Sequence, residues 1–363
     1  MMSQRELPQY SVQRARFIAA VERKSGSLTS YPHPLSGPNN ETLYTDVALI
    51  GSAQASRVML IISGTHGVEG YYGSDSQIEW LDALDVATLQ ADTALVFIHL
   101  LNPWGAAHLR RVNEDNIDLN RNFIDFSQPA PANAQYGQWH SLYQGERASA
   151  DRQLAAALET VGWSAVKPVV EAGQYSEPNG FFYGGERPSW SCLTMQKIIA
   201  AHLSEAKTLL SFDLHTGAGA WGHPMLLSIA EQRVAAHSWG AEIYGEWLTL
   251  LLTGKNSDSV TGVTVTATGY LSQYLLTSLP QTRMLPLVIE CGTYPGEDMH
   301  RRVREDHWLH LYGNPDIPQG RDIKRDLVEG FWPADDDWQA LVAFRTQQIF
   351  RRGWRALTGT PTA

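Results

Sequence analysis

The sequence predicts an α/β protein with a central, mixed and mostly parallel twisted sheet and helices on both of its faces. The first observation is a series of short apolar runs rich in β-branched residues, at residues 46–50, 57–63, 93–101, 209–214, 225–229 and 284–290. The second is that segments with helical character lie between them, at residues 74–89, 151–161, 191–209 and 230–253. Short unbroken strands that alternate with helices are typical of a sheet buried on both faces.

The remaining segments are consistent with a single domain. The 363 residues contain no internal repeat and no low-complexity linker, so we expect one catalytic domain over residues 1–363. Residues 127–145, which contain Pro, Ala, Asn and Gln, are predicted to form a long surface loop. Residues 336–357 carry apolar residues at helical spacing, which predicts a closing amphipathic helix.

The composition excludes several classes of protein. A net charge of -10 argues against a nucleic-acid partner. No stretch approaches the roughly 18 apolar residues of a membrane span, and charged residues interrupt residues 1–26, so neither a membrane helix nor a signal peptide is expected. The two cysteines, Cys192 and Cys291, are too few for a disulfide framework or a Cys-rich metal site. We expect a cytoplasmic protein with two buried thiols.

Polar residues of the kind that carry chemistry follow several predicted strands. His66 comes after the run 57–63, Asn102 after 93–101, and His215 and Glu290 each lie at the end of their own apolar run. In open α/β sheets, ligands bind at the carboxyl ends of the strands. Residues far apart in sequence are therefore expected to meet at one edge of the sheet.

Three of these residues form a candidate metal site. His66 and Glu69 are three positions apart, which places both side chains on one side of a turn, and His215 follows 149 residues later (215 − 66). Glycines at positions 64, 67, 70 and 73 permit a sharp turn there. Two histidines and a glutamate with one open position are a catalytic zinc set. A surface histidine beside an acid is the alternative for the first pair taken by itself.

Carboxylates and arginines surround these candidates. Ligand histidines donate their second ring proton to a carboxylate or carbonyl, and Asp118 and Asp213 are suitably placed, with capping or loop roles as the alternative. Arg111 and Arg121 each offer a rigid fork that matches a carboxylate and stabilises an oxyanion. An arginine paired with a nearby acid in solvent is the competing interpretation.

The polar segments resemble a known family. Residues 102–105 (Asn-Pro-Trp-Gly), 111–113 (Arg-Val-Asn) and 118–123 (Asp-Leu-Asn-Arg-Asn-Phe) resemble the run that follows the His-x-x-Glu ligands in zinc carboxypeptidases of the carboxypeptidase A superfamily. The order of the segments is also similar, and the resemblance spans roughly residues 44–295. An uncharacterised bacterial cytosolic branch is the most similar, because residues 173–175 and 180–185 are typical of it.

The resemblance implies a cofactor and its ligands. It implies one zinc ion per chain, held by His66, Glu69 and His215, and it makes Asp118 the residue that orients His66. It also implies a zinc carboxypeptidase-like fold.

The resemblance further implies the roles of four other residues. Glu290 would be the general base that activates water and then protonates the leaving amine, and Arg111 would polarise the scissile carbonyl. Asn120 and Arg121 would bind the terminal carboxylate of the substrate. The family also uses a mobile tyrosine, for which three candidates remain open: Tyr183, Tyr270 and Tyr274.

Three functions follow as hypotheses. The first is a metallocarboxypeptidase that acts on small peptides, and the second is an N-acyl amino acid deacylase similar to aspartoacylase and succinylglutamate desuccinylase. The third is a non-catalytic binding protein on the same fold. A serine hydrolase is disfavoured because no Gly-x-Ser-x-Gly segment occurs, and no phosphate-binding Gly-x-x-x-x-Gly-Lys segment occurs either.

Overall fold

A computed structural model of the chain describes residues 6–253 and 267–359. The strands of these residues are β1 (Ser27–Ser36), β2 (Thr42–Gly51), β3 (Arg57–Ile62), β4 (Thr93–His99), β5 (Thr208–Thr216), β6 (Pro224–Ala230), β7 (Leu248–Leu252) and β8 (Arg283–Cys291). They form one eight-stranded sheet in the order β1-β2-β4-β3-β5-β8-β6-β7.

The helices of the described residues lie between and after these strands. They are α1 (Tyr10–Arg23), α2 (Gly70–Ala83), α3 (Pro103–Ala107), α4 (Leu119–Asn122), α5 (Gly137–His140), α6 (Arg147–Val161), α7 (Trp163–Val170), α8 (Trp190–His202), α9 (Ala236–Tyr244), α10 (Leu271–Ser278), α11 (Gly296–Tyr312), α12 (Pro318–Phe331) and α13 (Asp336–Thr358). Short 3-10 turns occur at Val86–Thr88, Ser141–Tyr143 and Gly245–Trp247.

The sheet is mixed, as the sequence predicts. The neighbours β4–β3, β3–β5, β5–β8 and β6–β7 pair in parallel, whereas β1–β2, β2–β4 and β8–β6 pair antiparallel. The four central strands β4, β3, β5 and β8 are therefore all parallel, and their carboxyl ends meet at one edge. This confirms the predicted fold class.

Both faces of the sheet are covered. On β3, Met59 and Ile61 pack with residues of α1, α2, α9 and α13, whereas Leu60 and Ile62 pack with residues of α8 and α10. Successive side chains of a strand point to opposite faces, so one short apolar run contributes to two cores. This is why the central strands are apolar throughout rather than alternating.

Two elements at the sheet edges differ from the prediction. The helix predicted over residues 230–253 is wrong in its second half, since α9 ends at Tyr244 and β7 then pairs in parallel with β6. Gly245, with φ 60°, turns the chain between them. A short apolar run does not distinguish strand from helix by periodicity, and pairing with β6 decides it here. Strand β1 was not predicted because it is mostly exposed and carries no apolar run.

Residues 127–145 are more than a surface loop. They contain α5 and a 3-10 turn, and Tyr136 and Tyr143 are buried against Val166 and Phe181. These aromatic side chains attach the segment to the body of the protein, so the prediction of a plain loop was wrong.

The carboxyl-terminal helix lies where the sequence predicts it. Asp335 caps α13 by accepting from the amide of Trp338, and the buried side chains Trp338 and Phe350 pack in the core beneath the sheet. Cys192 and Cys291 are both free thiols and both buried. None of the helices in the described ranges combines the length and apolar character that a bilayer crossing requires.

Candidate metal centre

The loop between β3 and α2 carries His66 and Glu69. This loop is pressed against the start of α3, because a Cβ added to Gly67 would lie 2.1 Å from the carbonyl carbon of Gly105. Gly64 has φ 69°, in the left-handed region that favours glycine. Glycine at these two positions lets the backbone turn tightly at the end of β3, so that both side chains emerge at the carboxyl edge of the sheet.

His215 and Glu290 reach the same edge from two neighbouring strands. They are register partners on the parallel strands β5 and β8, and β5 is also paired with β3. Sheet register therefore brings together residues that are separated by more than half of the chain.

The three predicted ligands form one compact cluster. The Nδ1 atoms of His66 and His215 lie 3.0 Å from the two carboxylate oxygens of Glu69 and 3.2 Å from each other. Ligand atoms of all three residues lie within 4.8 Å of one another, and all three side chains are buried. Two ring nitrogens and a carboxylate that converge in this way fit a zinc ion with an open fourth position.

The second nitrogen of each histidine faces an aspartate. Nε2 of His66 lies 3.0 Å from Oδ1 of Asp118, and Nε2 of His215 lies 2.8 Å from Oδ2 of Asp213. Thr65 donates a hydrogen bond of 2.7 Å to the other oxygen of Asp213. Carboxylates in this position hold the ring orientation and leave the Nδ1 atoms directed at the centre.

The carboxyl groups around the centre differ in acidity. Burial opposes ionisation of Glu69 and Asp118, but the charges of His66 and Arg111 lower the pKa of both well below its ordinary value. For Glu290, burial and then the negative charge of Glu69 raise the pKa to about 7. Environments that push these pKa values apart separate permanent anions from a group that exchanges protons near neutral pH.

Arg111 lies directly against the cluster formed by His66, Glu69 and His215. Its Nη1 atom is 2.8 Å from Oε1 of Glu69, and its Nε atom donates to Asp118 at 3.2 Å. Its charge is thus matched by two carboxylates. Arg111 also lines the adjoining pocket.

Arg121 is buried, and its hydrogen-bond partners among the described residues are backbone carbonyls. Its Nη1 and Nη2 atoms donate to the backbone carbonyls of Asn120, at 2.9 Å, and Glu171, at 2.5 Å, and its Nε atom has no partner. No carboxylate in the described part of the chain forms an ion pair with it. The rings of Phe182 and Tyr270 lie 5.7 Å and 5.3 Å from its Cζ atom.

The segment that carries Arg121 is held from several directions. The side-chain oxygen of Asn120 accepts from the amide of Leu271 at 3.0 Å, which leaves the side-chain nitrogen as the donor available to a ligand. Tyr175 donates to the carbonyl of Arg121 at 2.6 Å. A Cβ at Gly269 would approach that same carbonyl oxygen to 2.6 Å. The position of the two candidate carboxylate-binding residues is therefore set by tertiary contacts.

A pocket of about 250 Å³ adjoins the cluster. Six of the predicted site residues line it: His66, Arg111, Asn120, Arg121, His215 and Glu290. The other two, Glu69 and Asp118, are buried immediately beside it, in contact with His66 and Arg111. The structure thus brings these eight residues together at one edge of the sheet.

The three candidate tyrosines lie in different places. Tyr270 lines the pocket beside Arg121. Tyr183 forms backbone bridges with Ile117 and Gln174, and Tyr274 packs against Phe123 with a centroid separation of 5.2 Å. Neither of these two lines the pocket, so only Tyr270 is placed near a substrate.

Some site residues escaped the sequence analysis. Thr65, which donates a hydrogen bond to Asp213, is one of them. Phe182 lines the pocket, lies within 6 Å of both Arg111 and Arg121, and has φ 48°, a conformation that costs energy for a residue with a Cβ. The available signal was its place in the glycine-flanked aromatic segment 180–185.

Fold and site together place the protein among the α/β proteins with the architecture of the zinc carboxypeptidases. The chain is similar to carboxypeptidase A from Helicoverpa armigera, with a TM-score of 0.51 and 13% identity over 98% of this chain and 74% of that one. This confirms the predicted resemblance at the level of the fold. The chain belongs to the family described as "Protein of unknown function (DUF2817)", which matches residues 7–345.

Two further structures share less of the architecture. A metallo-carboxypeptidase from Burkholderia cenocepacia has a TM-score of 0.43 and 13% identity, covering 92% of this chain and 69% of that one. A succinylglutamate desuccinylase from Silicibacter sp. TM1040 has a TM-score of 0.39 and 11% identity, covering 79% and 67%. Both scores are below 0.5, so the assignment of the fold depends on the first similarity. No curated protein matches the chain.

Proposed function

We propose that this protein is a zinc-dependent hydrolase that cleaves an amide bond next to a free carboxylate, and specifically a metallocarboxypeptidase that acts on small peptides. The observation that carries the proposal is one pocket that adjoins the His66–Glu69–His215 cluster and is lined by a buried arginine, Arg121, with which no carboxylate in the described part of the chain forms an ion pair. The first feature suits amide hydrolysis, and the second suits a substrate that ends in a carboxylate.

Arg121 binds the carboxylate. A buried charge without a counter-charge is costly, and a substrate carboxylate removes that cost. The guanidinium fork binds both carboxylate oxygens at once, and the unused side-chain nitrogen of Asn120 adds a donor. The rings of Phe182 and Tyr270 keep the guanidinium in place. Together these contacts orient the carboxylate end of the substrate relative to the candidate zinc ligands.

The chemical step needs a metal and a proton carrier. His66, Glu69 and His215 would hold a zinc ion, which when bound would supply a Lewis acid for the carbonyl and lower the pKa of water. The amide of Ala218 holds Oε1 of Glu290 at 3.0 Å, so Oε2 accepts the proton of the attacking water and returns it to the leaving amine. A pKa of about 7 suits a group that must both accept and release a proton.

Arg111 stabilises the charge that develops on the carbonyl oxygen. It lies between the ligand Glu69 and the pocket, and its contacts with Glu69 and Asp118 fix its position before substrate binds. A donor that is already oriented needs no rearrangement during the reaction.

The size of the pocket favours a second candidate, an N-acyl amino acid deacylase. A volume of about 250 Å³ is at the small end for ligand sites, and it suits one amino acid with a short acyl group. Arg121 would hold the same carboxylate in both reactions. The length of the acyl part separates the two candidates, because a peptidase also accepts substrates that extend out of the pocket.

The test combines metal analysis with product release. We expect about one zinc per chain in the purified protein by elemental analysis, and free amino acid released from a panel of dipeptides and N-acyl amino acids. The double variant His66→Ala/His215→Ala is expected to lose the zinc, whereas the control His202→Ala, at the end of α8, keeps it. Full zinc content in the double variant would contradict the proposal.

A further inference from the structure

Phe182 has a backbone conformation that a residue with a Cβ disfavours. Its φ is 48°, in the left-handed region. The residues on either side of it are held by the rest of the protein. The amide of Phe181 donates to the hydroxyl of Tyr136 at 2.6 Å, and the amide of Asp118 donates to the carbonyl of Tyr183 at 2.8 Å. Tertiary contacts therefore impose the conformation of Phe182.

Packing in the core does not account for this strain. Phe182 is only half-buried, whereas its neighbour Phe181 is 3% exposed and its ring stacks on that of Tyr143. Strained residues that a fold maintains are concentrated at functional sites. Phe182 lines the pocket beside the candidate zinc ligands. The strained backbone thus maintains the position of a ring in the pocket and not the burial of apolar surface.

The ring of Phe182 lies beside both arginines of the pocket. Its centroid is 5.4 Å from Cζ of Arg111 and 5.7 Å from Cζ of Arg121. The negative face of an aromatic ring attracts a guanidinium group, so one side chain interacts with two like charges that repel each other. Hydrogen bonds hold each arginine separately, Arg111 to carboxylates and Arg121 to carbonyls. The ring is a contact that the two arginines have in common.

The proposed reaction requires these two arginines to be correctly spaced. Arg111 would stabilise the oxygen of the scissile carbonyl, and Arg121 would bind the terminal carboxylate. In the substrate these two groups are separated by the amide nitrogen and the α-carbon, so their distance is nearly fixed. A misplacement of about 1 Å in a reactive complex can lower the rate about 100-fold. The guanidinium groups therefore have to be held at a matching distance.

We propose that Phe182 is a positioning residue of this site, whose ring holds Arg111 and Arg121 at the spacing that lets one substrate bind to both. This inference rests on the proposed function and adds a residue that makes the pocket selective for the carboxylate of an α-amino acid. A substrate whose carboxylate is one methylene group farther from the scissile bond does not match that spacing. Removal of the ring is therefore expected to weaken the discrimination between the two kinds of substrate.

The first test compares two substrates that differ only in this distance, acetylglycyl-leucine and acetylglycyl-β-homoleucine. The wild-type protein is expected to favour the first by about 100-fold in kcat/KM. Phe182→Leu is expected to lower kcat/KM for the first at least about 10-fold and to lower the ratio at least about 5-fold, because the spacing is no longer fixed. A ratio that Phe182→Leu leaves unchanged would overturn the inference, since a merely structural role lowers both values equally.

A conservative variant and a matched control locate the effect in the ring. Phe182→Tyr retains the ring and is expected to keep the ratio within about twofold of the wild-type value. Phe181→Leu removes the same ring one position earlier, where the described residues show no contact between the ring and either arginine. It is expected to lower the Tm but to leave the ratio within about twofold. An equal fall of the ratio in Phe181→Leu and Phe182→Leu would contradict the inference.

Two further variants of Phe182 test the backbone strain. Phe182→Ala and Phe182→Gly both remove the ring, but only glycine adopts a φ of 48° without strain. The glycine variant is expected to have a Tm about 2 °C above that of the alanine variant, and both are expected to show the lowered substrate ratio. A glycine variant that is no more stable than the alanine variant would mean that the fold imposes no strain to place the ring.

A binding measurement separates this inference from the proposed function. The zinc-loaded Glu290→Gln variant, with and without Phe182→Leu, is titrated calorimetrically with both compounds. A preference for acetylglycyl-leucine that falls at least about 5-fold with Phe182→Leu supports the positioning role even if the wild-type protein hydrolyses neither compound, which would defeat the hydrolase alone. Hydrolysis with a ratio that does not depend on the ring defeats the positioning role alone. Absence of both binding and hydrolysis defeats both.

Discussion

The two arginines that line the pocket have different partners. Arg111 forms ion pairs with Glu69 and Asp118. Arg121 instead donates hydrogen bonds to backbone carbonyls. An arginine matched by carboxylates belongs to the resting structure. An arginine whose hydrogen-bond partners among the described residues are carbonyls carries a positive charge that, in a buried position, is available to an anionic ligand. The position of the nearby carboxylates thus distinguishes Arg111, which belongs to the resting structure, from Arg121, which is the candidate for binding a ligand.

The largest expected effect on turnover comes from Glu290, which lies beside the candidate zinc ligands. Glu290→Gln is expected to lower kcat by about 100- to 10,000-fold, because the amide neither accepts nor returns a proton. KM is expected to change little, and zinc content by elemental analysis is expected to stay at the wild-type value. Undiminished turnover would remove Glu290 from its proposed role.

On the other side, Arg121→Met tests the binding role. The variant is expected to lose about 100-fold in kcat/KM for a substrate with a free carboxylate, since a charge-assisted bidentate contact is absent. The amidated form of the same substrate, compared in the same assay, is expected to react equally slowly with both proteins. If the wild-type protein does not distinguish the acid from the amide, the carboxylate does not bind at Arg121.

A third arginine, Arg110, extends the comparison to a buried cation that has a carboxylate partner. Arg110 is buried and pairs with Asp306, which also accepts a hydrogen bond from the ammonium group of Lys324. Burial opposes ionisation of Asp306, but Lys324 and Arg110 lower its pKa. Asp306→Asn is therefore expected to lower the free energy of unfolding by about 3 kcal/mol at pH 7, measured by urea denaturation.

The pH dependence of that effect has a definite sign. A carboxyl whose pKa is lowered by folding stabilises the protein above its unfolded pKa of about 4, and this contribution is lost as pH falls through the lower folded value. The difference between wild type and Asp306→Asn is thus expected to be constant between about pH 5 and 8 and to shrink below about pH 4. A difference that grows on acidification would contradict the assignment.

The smallest expected effect is a difference in stability between variants of the two arginines that line the pocket. Arg111→Met leaves two carboxylates without their counter-charge, so the metal-free protein is expected to lose about 2 kcal/mol. Zinc is expected to offset much of this loss, because its charge lies beside Glu69. Arg121→Met leaves no carboxylate of the described residues without an ion-pair partner, so its loss of stability is expected to be smaller than that of Arg111→Met. Equal thermal shifts for the two variants would contradict the contrast.

Local sequence was sufficient for the central elements of the fold. The predicted runs 57–63 and 284–290 nearly coincide with β3 (Arg57–Ile62) and β8 (Arg283–Cys291), because burial on both faces requires a continuous apolar run. It failed for β1 and β7 at the edges of the sheet. An edge strand buries less and pairs on one side, so its sequence carries a weaker pattern and its partner decides its structure.

The sequence by itself determined which residue types stand at the strand ends: two histidines, Glu69 and Glu290 for the candidate centre, and Arg121 within a polar segment. Only the tertiary structure decided that these side chains meet, since His66 and His215 are brought within 3.2 Å by the register of β3 and β5. The carboxylate partners of Arg111 and the carbonyl partners of Arg121 likewise depend on the tertiary structure. Charge balance and cavity shape depend on neighbours that are distant in the chain, whereas burial and donor chemistry are properties of the residues themselves.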